Sequence, residues 1–197
     1  MNKKKETPPS RSALDVGVDI IRAMDQEFHD APDRVLAVVG AAYLDSLLEE
    51  LLRAVFVGDR EEADRLLAPD RALGSNGSRY QLAYCLGLIE KEQRDDLKMI
   101  ARIRNAFAHR YDVRSFDHDE PKRLLAQLHY GKELDSIVEK LVQETADPEQ
   151  QKHLRAIGAS GRRKFQDTLR DLFMSLLRKL NSVCRADALT WYRADLD

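Results

Sequence analysis

Apolar residues recur at spacings of three and four from near Ser12, at Leu14, Val18, Ile21 and Met24, and the pattern fades at Phe28-His29 before Pro32. That period is the mark of an amphipathic helix. Pro32 opens a second helix, with an acidic residue just after it. It carries Val35, Val38, Val39, Ala42, Leu47, Leu48, Leu51, Leu52 and Phe56 to about Val57, before Gly58. Its first half is apolar around much of its circumference, so it is expected to be central and packed on several sides.

A short helix over Glu61 to Leu67 stops at Pro69, and Gly74-Ser75-Asn76-Gly77-Ser78 predicts a tight connection. The next helix runs from about Ser78 to Leu86 and is closed by Gly87. Another spans Glu90 to about His109, with Leu97, Ile100, Ile103 and Phe107 on its apolar face. Tyr111 to His118 reads as a loop with a solvent-edge tyrosine. Helical pattern returns beyond Pro121 through Leu124, Leu125 and Leu128, and again through Leu134, Ile137, Val138 and Leu141.

From Gly158-Ala159-Ser160-Gly161 a long final helix carries Phe165, Leu169, Leu172, Phe173, Leu176, Leu177, Leu180 and Val183. This stripe needs covering, either by the first helices of the same chain or by self-association. No alternation of apolar and polar residues competes as a strand signal. The fold expected is all-α, a multi-helix bundle with a long C-terminal helix. Residues 11–197 are expected to form a single helical domain behind a disordered, basic and Pro-rich tail at 1–10.

Charge changes the picture by exclusion. Of 197 residues 34% are charged, yet 32 Lys and Arg against 34 Asp and Glu leave a formal net charge of −2. That balance argues against direct DNA binding, as does the lack of a visible helix-turn-helix pair. The basic run Arg162-Arg163-Lys164 has Asp167 and Asp171 close behind it and reads as a solvated face. Cys85 and Cys184 have no metal-ligand spacing and are expected to be buried thiols. His118, His129 and His153 are isolated and assigned to the surface. With no signal-peptide core and no apolar run of about 20 residues, a cytoplasmic protein without a membrane span is expected. No cofactor or metal is expected. Asp45 and Glu49 share a helix face, but no matched carboxylates are visible on a second helix.

Two segments carry a resemblance. The first is Gly40-Ala41-Ala42-Tyr43-Leu44-Asp45 followed by Leu47-Leu48-Glu49-Glu50-Leu51-Leu52. The second comprises Leu73-Gly74-Ser75, Leu82-Ala83-Tyr84-Cys85-Leu86-Gly87-Leu88-Ile89, then Leu97, Ile100, Ile103-Arg104-Asn105 and Phe107-Ala108-His109. In this order they resemble the mannitol operon repressor family over a family-like core at 33–118. The resemblance implies a helical transcriptional regulator; with no helix-turn-helix visible, it is expected to act through protein contacts, as a homodimer with a protein partner.

Arg104-Asn105-Ala106-Phe107-Ala108-His109 is also similar to the motif of the HEPN superfamily, many of whose members are dimeric, metal-independent endoribonucleases. On that alternative, RNA is the substrate. The resemblance implies that His109 handles a proton, Arg104 stabilises the phosphate charge and Asn105 orients groups around it. Imidazole and guanidinium suit those tasks. Residues five apart on an ideal helix diverge by about 140°. A joint site therefore requires that the helix loosen at His109, or that a dimer place two motifs across one cleft. The plainer alternative is a scaffold, in which Arg104 pairs with Asp45, Glu49 or Glu50 and His109 caps its own helix.

Overall fold

In the computed structural model the backbone is described for residues 13–56 and 60–194, and side chains for most of these. The basic, Pro-rich stretch 1–10 lies outside the described residues, as do Val57 and Gly58. The side chains of Leu14, Val18 and Leu134 are also outside them.

The described residues form nine helices and no strand: α1 (Ala13–Phe28), α2 (Asp33–Val55), α3 (Arg60–Leu67), α4 (Asn76–Cys85), α5 (Lys91–His109), α6 (Asp119–Leu125), α7 (His129–Glu144), α8 (Pro148–Ala159) and α9 (Gly161–Ala194). The molecule is the all-α, multi-helix bundle with a long last helix that its periodicity predicts. None of the described helices is long and apolar enough to cross a membrane.

Helix α2 is the centre, packed by α9 and α5, with α4 and α3 against its later turns. Its buried Leu36, Ala37, Ala41, Leu44, Leu48, Leu51 and Leu52 span more than one face, as the apolar circumference requires. The stripe of α9 docks on its own chain, burying Phe165, Leu169, Leu172, Phe173 and Leu176 mainly against α2. Burial of each such side chain is worth roughly 1.5–3 kcal/mol. An aromatic ladder joins α5, the following loop and α9. Phe107 and Phe116 have ring centroids 4.9 Å apart, and Phe116 and Phe165 are at 4.8 Å.

Turn chemistry fixes the α4–α5 corner that aims α5. Gly87, at φ 65°, holds the left-handed position after α4. The N–H of Leu88 reaches the Ala83 carbonyl at 2.9 Å and that of Gly87 the Tyr84 carbonyl at 3.0 Å. This paired closure satisfies two end carbonyls of α4. Glu90 and Gln93 then exchange side-chain-to-backbone bonds, a capping box that starts α5.

Several expectations need correction. Helix α8 is a separate element, and α9 begins at Gly161 instead of Gly158. Only Gln151, Leu154, Ile157 and Gly158 are turned inward on α8, so its apolar period is weak. Asp147, whose side chain accepts from the Glu149 N–H at 3.0 Å, and Pro148 at the helix start announce it instead.

Both cysteines are exposed free thiols. Cys85 ends α4 on its outer side, 3.4 Å from Gln81 Nε2, and Cys184 lies beyond Leu176, the last buried residue among the described side chains of α9. Nor is the Arg162-Arg163-Lys164 run a solvated face. Arg162 clamps Asp33 at 2.6 Å and the carbonyls of Phe28 and Ala31, and Lys164 pairs with Asp135. Arg163 and Arg170 both bond the buried carboxylate of Asp167. His153 is exposed as expected, but His129 and His118 are only half exposed. His129 bonds Asp96 at 3.0 Å, and His118 lies 3.6 Å from Asp112.

Candidate functional site

The Arg104–His109 stretch lies in the last turns of α5. That helix stays regular through His109, since the Arg110 N–H still reaches back to the Ala106 carbonyl at 3.2 Å before the chain turns extended. The loosening that would bring Arg104 and His109 together within one chain is absent. They leave the helix about 140° apart.

Arg104 is half-buried on the flank turned toward α2 and α4. There Asp45 of α2 accepts from Tyr80 Oη at 2.6 Å through Oδ1, and from Asn76 Nδ2 through Oδ2. Burial pushes the Asp45 carboxyl above its ordinary range, against the Tyr80 hydrogen bond, the Arg104 charge, Asn76 and Arg79, which pull it back. Burial and the adjoining Asp45 charge hold the Tyr80 phenol far above its usual range. Arg104 makes no direct ion pair with a described carboxylate. Its charge acts on Asp45 and Tyr80 through space.

The other acidic residues considered as partners for Arg104 are taken. Glu49 pairs with Arg79 at 3.1 Å and Arg53 at 2.7 Å, and Glu50 pairs with Arg53 and Arg60. The buried Arg79 also donates to the carbonyls of Leu67 and Leu73, both at 2.7 Å. One guanidinium thus ties α2, the end of α3 and the turn before α4. Gly74 makes that turn possible, because a Cβ there would lie 2.3 Å from the Pro69 carbonyl oxygen. Ser75 caps α4 by accepting from the Ser78 N–H at 3.1 Å.

Asn105 and His109 sit one turn apart on the outer side of α5, both exposed. No hydrogen bond joins either to another described residue, so the cap expected of His109 is not made. The loop beyond is firmly seated. Arg34 donates to the carbonyls of Arg110 at 2.8 Å and Val113 at 3.1 Å, while Asp33 accepts from the Phe116 N–H at 3.0 Å. Val113 and Phe116 are buried, and Tyr111 is 85% exposed as the solvent-edge reading requires.

Sequence reasoning thus placed Arg104, Asn105 and His109 on one helix end, and the structure separates them into an inward guanidinium and an outward pair. It missed Asn76, Tyr80 and Arg79. Only the run Gly74-Ser75-Asn76-Gly77-Ser78, read as a tight connection, hinted that the start of α4 is ordered.

This arrangement of helices has a counterpart among solved structures. A chain of the MtlR–HPr complex from Escherichia coli superposes with a TM-score of 0.51 at 19% identity, covering 88% of this chain and 99% of that one. The fold is MtlR-like. No family model matches the chain, and no curated protein does. The MtlR-like fold is therefore a likeness of architecture, in agreement with the resemblance read from the segments at 33–118.

Proposed function

We propose that this chain is a regulator of the MtlR type that works by binding a protein partner. The observation that carries the reading is the course of α5. By remaining helical through His109, it directs Arg104 to the Asp45–Tyr80 cluster and leaves Asn105 and His109 facing solvent on another side. One chain therefore offers a braced helix face and no assembled acid–base pair around a phosphate. The MtlR-like fold supports the same reading, since the similar chain was solved in a complex with HPr.

The test is to mix the purified chain with the HPr of the organism that encodes it, and to follow complex formation by calorimetry and by mass. A complex of defined stoichiometry is the expected result, and the mass of the free chain reads whether it pairs with a second copy. The competing reading is a HEPN-like ribonuclease using Arg104, Asn105 and His109 across a dimer cleft. Cleavage of single-stranded RNA in EDTA, lost in His109→Ala, with no HPr complex, overturns the proposal.

A further inference from the structure

The outer face of α5 carries a ladder of cations. Lys91, Arg94, Lys98 and Arg102 are spaced three, four and four residues apart, and His109 follows seven residues on. At 100° per residue all five fall within about 80° of one another, along roughly 27 Å of helix. Lys91 and Arg102 are exposed, Lys98 is half so, and the Arg94 side chain is only 16% exposed. Among the described residues no carboxylate bridges Lys91, Lys98 or Arg102, and Arg102 reaches only Met99 Sδ, at 3.7 Å. This differs from α2, α3 and the start of α9, where Arg53, Arg65, Arg162, Arg163, Lys164 and Arg170 are each closed on a carboxylate.

The only acid within the ladder is Asp95, bound by Arg94 at 2.8 Å. That hydrogen bond, with the charges of Arg94, Lys98 and Lys91, keeps its carboxyl below the usual range. Of the neighbouring acids, Glu90 is committed to the capping box, and Glu92 is turned about 100° away from Lys91. Beside the cations, on the flank next to Asn105, Ala101 and Ala108 are small, which keeps that edge of the ladder open to a second helix at the ordinary 8–10 Å axial distance. At the N-terminal end Arg94 lies over the Tyr84 ring at 4.5 Å, and Leu86, two residues beyond Tyr84 in the chain, is 49% exposed.

We propose that this face is the docking surface for an acidic amphipathic helix of a protein partner, with carboxylates opposite Lys91, Lys98 and Arg102 and an apolar residue on Leu86. It rests on the reading that the chain acts through a protein partner, and adds where and with what chemistry. Carboxylates one turn apart on a helix share the 5–6 Å rise of the cation ladder. A phosphodiester strand fits less well. Asp95 places a fixed negative charge inside the ladder, and Arg94 already covers the aromatic ring on which a base would stack. A second copy of the same face is excluded as occupant because like charges would oppose each other.

The test uses a labelled helical peptide of about 20 residues with Glu on one face at intervals of one turn and Leu beside them, its Gln twin, and an oligouridylate. Binding is read by anisotropy at low salt, for the native chain and for Lys98→Glu/Arg102→Glu. Lys98→Gln/Arg102→Gln serves as a milder second variant, with thermal melts of all three. The Glu peptide is expected to bind, to weaken as salt rises, and to lose about tenfold or more in the Glu variant, less in the Gln variant. Equal binding of the Gln twin, unchanged binding by both variants, or preference for the oligouridylate overturns the proposal. The HPr mixture is run in parallel. A complex with HPr that both variants keep, with no peptide binding, overturns this proposal alone. Peptide binding without any HPr complex supports the face and overturns the choice of HPr.

Discussion

On the flank of α5 turned toward α2 and α4, polar side chains are taken out of water and tied to one another. Tyr80 and Asn76 hold both oxygens of Asp45, Arg104 adds its charge, and Arg79 links Glu49 to two carbonyls. On the opposite flank of the same helix, Lys91, Lys98, Arg102, Asn105 and His109 are left without carboxylate partners among the described residues. The difference shows what a polar residue is for. A buried one must be satisfied by its own chain, because an orphaned donor or acceptor costs about 1–3 kcal/mol. Water satisfies an exposed one at no such cost, so its arrangement remains free to suit a partner.

The largest effect is expected from Arg79→Ala. It removes a buried guanidinium and leaves the Leu67 and Leu73 carbonyls unpaired, a loss of about 3–4 kcal/mol by urea titration. A loss below about 1 kcal/mol would erase the distinction between the two flanks. Tyr80→Phe keeps the ring and deletes one donor to Asp45, with an expected cost of about 1–2 kcal/mol. A thermal melt should register it as a drop of roughly 2–8 °C.

Asp45 offers a sharper measurement through pH. Because its carboxyl is raised in the folded chain, the native state holds that proton at pH values where the unfolded chain has lost it. The contribution to stability is therefore full below the ordinary carboxylate value of about 3.9, and it falls as pH rises through the raised folded value. Above that it is flat. Asp45→Asn should remove this downward step from a pH series of urea midpoints, and a step that persists would assign it to another group. The smallest effect belongs to the outer flank. His109→Ala and Asn105→Ala should each shift stability by no more than about 0.5 kcal/mol. A loss well beyond that would show that the outer pair is structural after all.

The same contrast explains what was legible in the sequence. Helices α2 and α5 announce themselves because their apolar residues repeat every three or four positions and Gly87 marks a stop. Their observed limits lie within about two residues of those expected. Helix α8 does not, because a polar helix lying against a neighbour has too few large apolar residues to show a period, although Asp147-Pro148 marks its start. At the candidate site, the sequence brings Arg104, Asn105 and His109 together because they share one short string of letters. Helical rotation is what parts them. The partners of Arg104 are 24 and 59 residues earlier in the chain, at Tyr80 and Asp45, and only packing brings them close. Cysteine burial failed for a related reason, since an apolar neighbourhood in sequence does not say which side of the helix a thiol occupies.

Asp96 of α5 is almost fully buried and accepts from the His129 N–H at 2.8 Å, the Tyr130 N–H at 3.2 Å and the His129 ring. These amides open α7, so α7 is capped by a carboxylate from a helix 33 residues earlier. Helices α7 and α8 therefore cannot lift away as a hinged pair without breaking the three hydrogen bonds that Asp96 accepts from the start of α7. The joint is a latch that resists partial opening. Deuterium exchange at His129 and Tyr130 reads the opening of that latch and, through Asp96, reports on the seating of α5 itself.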